Sequence, residues 1–164
     1  ILVWHPSGYP EGEFIDDHVI FEGLCDALRA VCRVADRLDV SIAVEITRAG
    51  SVGGAEAFLR IRDQVTSDRL GVCIDAANFA PDRTPLERSV RMLRSHIVIA
   101  HAKDSSFADN GEVAEYGPVG TGKLDYPTYI KSLAKYCNVP YLVFEYYKSR
   151  EQLLEARDIV KTCL

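Results

Sequence analysis

The chain has no apolar run near the roughly 18 residues that cross a bilayer. It does not open with a basic segment followed by an apolar stretch of the secretory kind either, so neither a membrane partner nor export is expected. Cysteine pairs are missing too. The 5 cysteines (Cys25, Cys32, Cys73, Cys137 and Cys163) form no C-x-x-C motif and are odd in number. That pattern speaks against a disulfide framework or a zinc finger, and for free thiols buried in a reducing, cytoplasmic compartment. Lysine and arginine form no cluster, and the net charge is −5. A nucleic-acid partner, which calls for a basic face against phosphates, is therefore not expected. An initiator methionine is also lacking, because the chain begins Ile1-Leu2-Val3-Trp4. The expectation is a stretch taken from partway through a longer protein.

What is present suits an ordinary globular protein. A chain of 164 residues with 48% apolar and 26% charged residues can bury one core, so residues 1–164 are expected to form a single domain. Short apolar runs recur, each closed by a polar residue: SIAVE (41–45), GVCID (71–75), HIVIAHAKD (96–104) and YLVFE (141–145). Near-continuous apolar runs of this length read as buried parallel strands whose carboxyl ends open into a site. Side chains two apart share a strand face. Counting back from each terminus therefore places Ser41 and Ala43, Gly71 and Cys73, Ile97 and Ile99, and Tyr141 and Val143 on the same side as Glu45, Asp75, His101 and Glu145. Those four polar groups are predicted to share one interior.

Helical periodicity fills the intervals. Over residues 15–38 the apolar positions Ile20, Leu24, Ala27, Val31, Val34, Ala35 and Leu38 predict an amphipathic helix with that stripe buried. A glycine-containing loop over residues 47–54 precedes Ala55, Phe58, Leu59, Ile61 and Val65 at helical spacing. Thr84-Pro85-Leu86-Glu87 reads as a capping box with proline at the first helical position, and Ser149 with Gln152 as another. Such β–α alternation implies a parallel sheet, doubly wound or closed as a barrel. One strand face is small (Ser41, Ala43, Gly71, Cys73) and the other bulky (Ile42, Val44, Val72, Ile74), as a crowded interior ringed by helices requires. A (β/α)8 TIM barrel is expected, with this chain supplying about five of its eight units. A barrel opened between strands exposes unpaired edges, so a longer chain or association into a homo-oligomer is expected.

GPVGTGKL (117–124) nearly spells a phosphate-binding P-loop. A working one needs a hydroxyl after the lysine, a buried strand before it and a helix after it. Leu124 stands in the hydroxyl's place, residues 110–116 are no buried strand, and Pro127 is expected to interrupt an early helix. Nucleotide hydrolysis is rejected. The long connection over residues 105–125 is expected to form a lid or substrate-binding loop.

Taken in order, HPSG (5–8), VEI (44–46), IDAAN (74–78), HAKD (101–104), GPVGTGKLDY (117–126) and VFEYY (143–147) resemble the xylose-isomerase-like barrels, a superfamily of sugar isomerases, epimerases, dehydratases and apurinic endonucleases. The resemblance covers almost the whole chain. It implies one divalent metal held by Glu45, Asp75, His101 and Glu145. Three carboxylates and an imidazole suit Mn²⁺ or Mg²⁺, with Co²⁺ or Zn²⁺ as alternatives. The endonuclease branch carries a further aspartate and histidine before its glycine loop, where this chain has Ala114 and Tyr116.

The substrate expected from this resemblance is a small carbohydrate or keto acid. A metal on adjacent oxygens of an α-hydroxy carbonyl compound acidifies the C–H between them, so Glu45 and Glu145 can remove and return a proton through an enediolate. Isomerisation or epimerisation follows, or dehydration where a leaving hydroxyl lies β to the carbanion. A non-catalytic barrel is a further reading. Asn78, where many relatives carry histidine, reads as a substrate contact or a turn cap. Lys103 and Arg48 are candidates for holding a carboxylate or phosphate, and His5 for facing the same pocket. His18 and His96 read as structural.

Overall fold

The computed structural model describes residues 1–6, 17–47, 52–79, 85–111 and 113–164. Five strands, β1 (Leu2–Trp4), β2 (Ile42–Glu45), β3 (Leu70–Asp75), β4 (Ile97–Ala102) and β7 (Leu142–Phe144), form one sheet in that order, and each neighbouring pair is parallel. Two further strands, β5 (Asp104–Phe107) and β6 (Val113–Gly117), make a separate antiparallel hairpin after β4. The helices α1 (Asp17–Arg37), α2 (Ala55–Val65), α4 (Leu86–Leu93), α5 (Tyr126–Tyr136) and α6 (Arg150–Thr162) pack against one another in sequence, with a single turn, α3 (Ala76–Phe79), directly after β3. The architecture is the partial TIM barrel that the strand pattern predicts.

Two cores follow from the alternation of side chains. Val44, Val72, Ile74 and Ala100 join the helix residues Phe58, Ile61, Val90, Leu93 and Tyr129 in the larger one. Ala43, Cys73 and Ile99 form the smaller one on the other face, the barrel interior. Small residues face inward because the interior is crowded. A Cβ built on Gly71 would stand 2.6 Å from Val98 Cγ1, so any larger residue there must displace that valine.

The alternation breaks once. Val72 pairs with Ile97 but Cys73 pairs with Ile99, so Val98 is an extra residue in the β3–β4 ladder. Ile97 therefore joins Val72 in the helix-side core, not the interior that simple period-two counting gives it.

Helix α1 also departs from expectation. Its buried residues are Cys25, Leu28, Cys32 and Ala35, while Val31 and Val34 are each 44% exposed and Leu38, just past its end, 67%. The predicted stripe is rotated, because the helix carries more apolar surface than the α2 side covers and the cysteines serve as core residues.

Pro127 does not interrupt α5. It sits in the first turn, where a missing N–H costs nothing, and Asp125 caps that turn by accepting from the Thr128 N–H at 3.0 Å. The Ser149 cap forms, its hydroxyl accepting from the Gln152 N–H at 3.3 Å, but the return bond of the box shifts by one residue, Gln152 Oε1 accepting from the Lys148 N–H at 2.7 Å. Pro85 precedes helix α4 instead of occupying its first position. Thr84 lies outside the described residues, as does the predicted start of the first helix near Ile15.

Candidate metal centre

Strand register brings the four predicted groups together. Asp75 on β3 pairs with His101 on β4, and Glu45 on β2 pairs with Cys73, one interior step below Asp75. On the far side, the Glu145 N–H donates to Ala102 O at 3.0 Å and fixes that glutamate beside β4. One ligand atom from each of Glu45, Asp75, His101 and Glu145 lies within 4.8 Å of the other three. Asp75 is wholly buried, Glu45 and His101 are buried, and Glu145 lies at the rim.

Each carboxylate divides its two oxygens. Glu45 Oε1 accepts from Asn78 Nδ2 at 2.7 Å, while Oε2 lies 3.5 Å from His101 Nδ1. Glu145 Oε2 accepts from Lys103 Nζ at 3.1 Å, while Oε1 lies 3.1 Å from His101 Nδ1. Asp75 Oδ1 accepts from the Ala77 N–H at 2.8 Å, which leaves Oδ2 facing Lys103 Nζ at 3.1 Å. Asp75 Oδ2 and His101 Nδ1 are both buried, and their near neighbours, Lys103 Nζ and Glu145 Oε1, stand outside good hydrogen-bond geometry. Three carboxylates and an imidazole within 4.8 Å of one another, with two of their buried ligand atoms short of good hydrogen bonds, fit a divalent cation.

The charges are strongly coupled. Burial pushes the Asp75 carboxyl up to about 6, although Lys103 pulls the other way. For Glu145 the hydrogen bond with His101 dominates and, with Lys103, holds it down at about 2. Burial would raise Glu45, but His101 and Lys103 outweigh it and pull it below the usual carboxylate range. On His101 burial opposes the charge, yet Cys73, Glu145 and Glu45 together lift the imidazole to about 12. Cys73 forms a second potential grouping with Glu45 and His101, and burial pushes its thiol up to about 11.

The remaining candidates fall in different places. Asn78 is buried on Glu45 and so orients a carboxylate. Lys103 is buried among the three carboxylates, 3.6 Å from Glu45 Oε1 in addition to its two closer contacts. His5 is exposed past the end of β1, outside the group. Arg48 lies outside the described residues.

The connection over residues 105–125 holds the β5–β6 hairpin, whose Tyr116 ring centre lies 5.2 Å from Lys103 Nζ. Tyr146, directly after Glu145, takes a left-handed φ of 61° and brings its ring to 5.6 Å from the same ammonium. A bulky residue in that conformation is strained, and such strain collects at sites. Both tyrosines also line a cavity of about 420 Å³ with Ser106, Thr121, Lys148 and Gln152.

Sequence reasoning missed three supports. Asp104 is buried and accepts from the N–H groups of Ser105, Gly120 and Leu124 at 2.8, 3.0 and 3.1 Å. The glycine loop does wrap an anion, but the anion is the protein's own carboxylate. Gly122 is required there because a Cβ would strike Asp104 Oδ1 and the Ser105 carbonyl. From α5, Tyr126 OH donates to Lys103 O at 2.6 Å, and the fully buried Tyr129 OH lies 3.0 Å from Ile74 O and 3.1 Å from His101 O. Tyr129 thus ties the ends of β3 and β4 together beside two of the candidate ligands. Tyr129→Phe should lower stability by about 1–3 kcal/mol, read as an earlier urea midpoint at unchanged m-value. An unchanged midpoint would show that this hydroxyl does not hold the strand ends.

The sequence model of the family described as xylose isomerase-like TIM barrel matches residues 1–163. No curated protein sequence matches the chain. Among solved structures, a D-tagatose 3-epimerase-like protein aligns at TM-score 0.84 and 20% identity over 98% of this chain and 60% of its own. The IOLI protein with a bound zinc atom aligns at 0.73 and 19%, over 99% of this chain and 61% of its own. The 3-keto-D-glucoside 4-epimerase of E. coli aligns at 0.75 and 14%, over 98% and 62%. The chain thus spans roughly three fifths of the length of each of these three structures.

Proposed function

We propose that this chain, which belongs to the xylose isomerase-like TIM barrel family, is the metal-binding part of an isomerase or epimerase acting on a small sugar or related keto compound. We read residues 1–164 as one domain. What carries the functional reading is the meeting of three carboxylates and an imidazole at the carboxyl ends of four parallel strands, within 4.8 Å of one another. The epimerases among the structural neighbours and the zinc atom in one of them support it. Oxygen-rich ligation favours Mn²⁺ or Mg²⁺, with Co²⁺ and Zn²⁺ as alternatives.

Glu45, Asp75, His101 and Glu145 would hold the ion. When bound, it would draw electron density from two neighbouring substrate oxygens and acidify the C–H between them. Glu45 ends β2 and Glu145 follows β7, on either side of β4 in the sheet, so one would remove a proton and the other return one. Asn78 and Lys103 fix the carboxylates in that orientation. Tyr116 and Tyr146, whose rings lie 5.2 and 5.6 Å from Lys103 Nζ, would flank a substrate bound over the cluster.

The test is isotope exchange. With Mn²⁺ and a ketose substrate turned over in D₂O by the full-length protein, deuterium should enter the carbon next to the carbonyl, because the abstracted proton exchanges before its return. Product formed without deuterium, with a hydride label carried across intact, would replace proton transfer by a hydride shift. No turnover of any ketose or keto acid despite bound metal would remove the isomerase reading altogether.

A further inference from the structure

We propose that Lys103 is a tethered cation of the carboxylate cluster, holding one oxygen of each of the three carboxylates and limiting the site to one metal ion. Its ammonium lies 3.1 Å from Asp75 Oδ2, 3.1 Å from Glu145 Oε2 and 3.6 Å from Glu45 Oε1. His101 Nδ1 faces the opposite oxygens, Glu45 Oε2 at 3.5 Å and Glu145 Oε1 at 3.1 Å. The cluster therefore has two cationic faces, His101 on one oxygen of each glutamate and Lys103 on the other oxygen of each and on Asp75 Oδ2. The imidazole face offers nitrogen and oxygen donors to a metal. The other face is filled by an ammonium, which is a point charge with three donors and no acceptor.

Charge balance supports the same division. Three carboxylates converging in a buried site repel one another unless cations lie among them. One divalent ion and one ammonium neutralise them, with His101 neutral as a ligand. A second divalent ion would leave the pocket overcharged and would have to expel Lys103. That expulsion is obstructed, because the lysine is buried, its ammonium lies near the Tyr116 and Tyr146 rings, and its carbonyl is held by Tyr126 OH at 2.6 Å. Lys103 also stabilises the cluster before metal arrives, and it repels the incoming ion. Both effects make metal binding weaker than the carboxylates alone would give.

The inference rests on the metal-centre reading, and the experiment separates the two. Mn²⁺ is titrated into the chain, freed of metal beforehand, by calorimetry and electron paramagnetic resonance. The wild type should bind one Mn²⁺ and give the spectrum of an isolated ion. Lys103→Ala, which opens the second face, should bind two, with the broadened spectrum of a spin-coupled pair. Lys103→Met keeps the side chain's bulk without its charge. It should still bind one Mn²⁺, more than tenfold tighter than wild type, with a lower melting temperature for the metal-free form and a larger rise on adding Mn²⁺. Lys103→Arg should restore single-ion binding near wild-type affinity. If Lys103→Ala fails to fold, the Lys103→Met affinity and melting shifts decide. Wild-type stoichiometry and affinity in both the alanine and methionine variants would overturn the role of Lys103 while leaving the metal centre intact. No Mn²⁺ bound by the wild type would overturn the metal centre and this inference together.

Discussion

Glu45→Gln and Glu145→Gln should each lower turnover by a factor of about 10³ or more, because ligation and proton transfer are lost together. The geometry explains why so conservative a change is severe. Asn78 Nδ2 donates to Glu45 Oε1 at 2.7 Å, so a glutamine there must turn its only acceptor toward Asn78 and its NH₂ toward His101. Lys103 imposes the same choice at Glu145, where it donates to Oε2 at 3.1 Å. In both variants a donor stands where a ligand is needed, and one of the two proton-transfer groups is gone. Asp75→Asn meets a similar conflict, because Ala77 N–H holds Oδ1 and the amide nitrogen faces Lys103. Asp75 moves no proton, so that variant should weaken Mn²⁺ binding first and recover part of its rate in excess Mn²⁺. Steady-state kinetics across a metal titration separate the two classes. A glutamine variant that keeps near-normal turnover would remove its glutamate from the chemistry.

The second large effect is on stability. Asp104→Ala should cost about 3–5 kcal/mol, since hydrogen bonds to a charged acceptor contribute about 1.5–3 kcal/mol each and this carboxylate receives three of them. The contributions are not additive, because the freed loop can relax toward water. For a chain of this size a loss of that order corresponds to a melting temperature lower by roughly 10 °C. Asp104→Asn keeps one acceptor oxygen and should lose less. The same substitution should loosen the β5–β6 hairpin over Lys103, seen as faster amide hydrogen exchange across residues 113–124. Unchanged melting and exchange in the alanine variant would show that the loop is held by other contacts.

Local pattern was sufficient for some of this. The polar ends of β2, β3 and β4, and Glu145 just past β7, were legible because a strand's side-chain period is two and a run of small inward residues leaves little choice of face. The four metal-site candidates could therefore be named before any contact was known. The Ser149 cap and helix α2 were legible for the same reason, since their signals lie within a few residues of one another.

Whatever depended on residues distant in sequence was not legible. Val98 enters the β3–β4 ladder as an extra residue, and only the pairing of two strands reveals that Ile97 turns to the helix side. The buried stripe of α1 was misassigned because an apolar face records what a helix can bury, not which neighbour it meets. Pro127 looks like a break until Asp125 is seen capping the turn that contains it. Residues 117–124 resemble a phosphate loop because backbone N–H groups do converge there, and Asp104, 16 residues before Gly120, supplies the anion. Lys103 shares the face of His101 by alternation, so the sequence alone placed its ammonium near the site. The tertiary structure decided that it is buried against three carboxylates of its own chain, because only packing brings Asp75, Glu45 and Glu145 close enough to outcompete water for its charge.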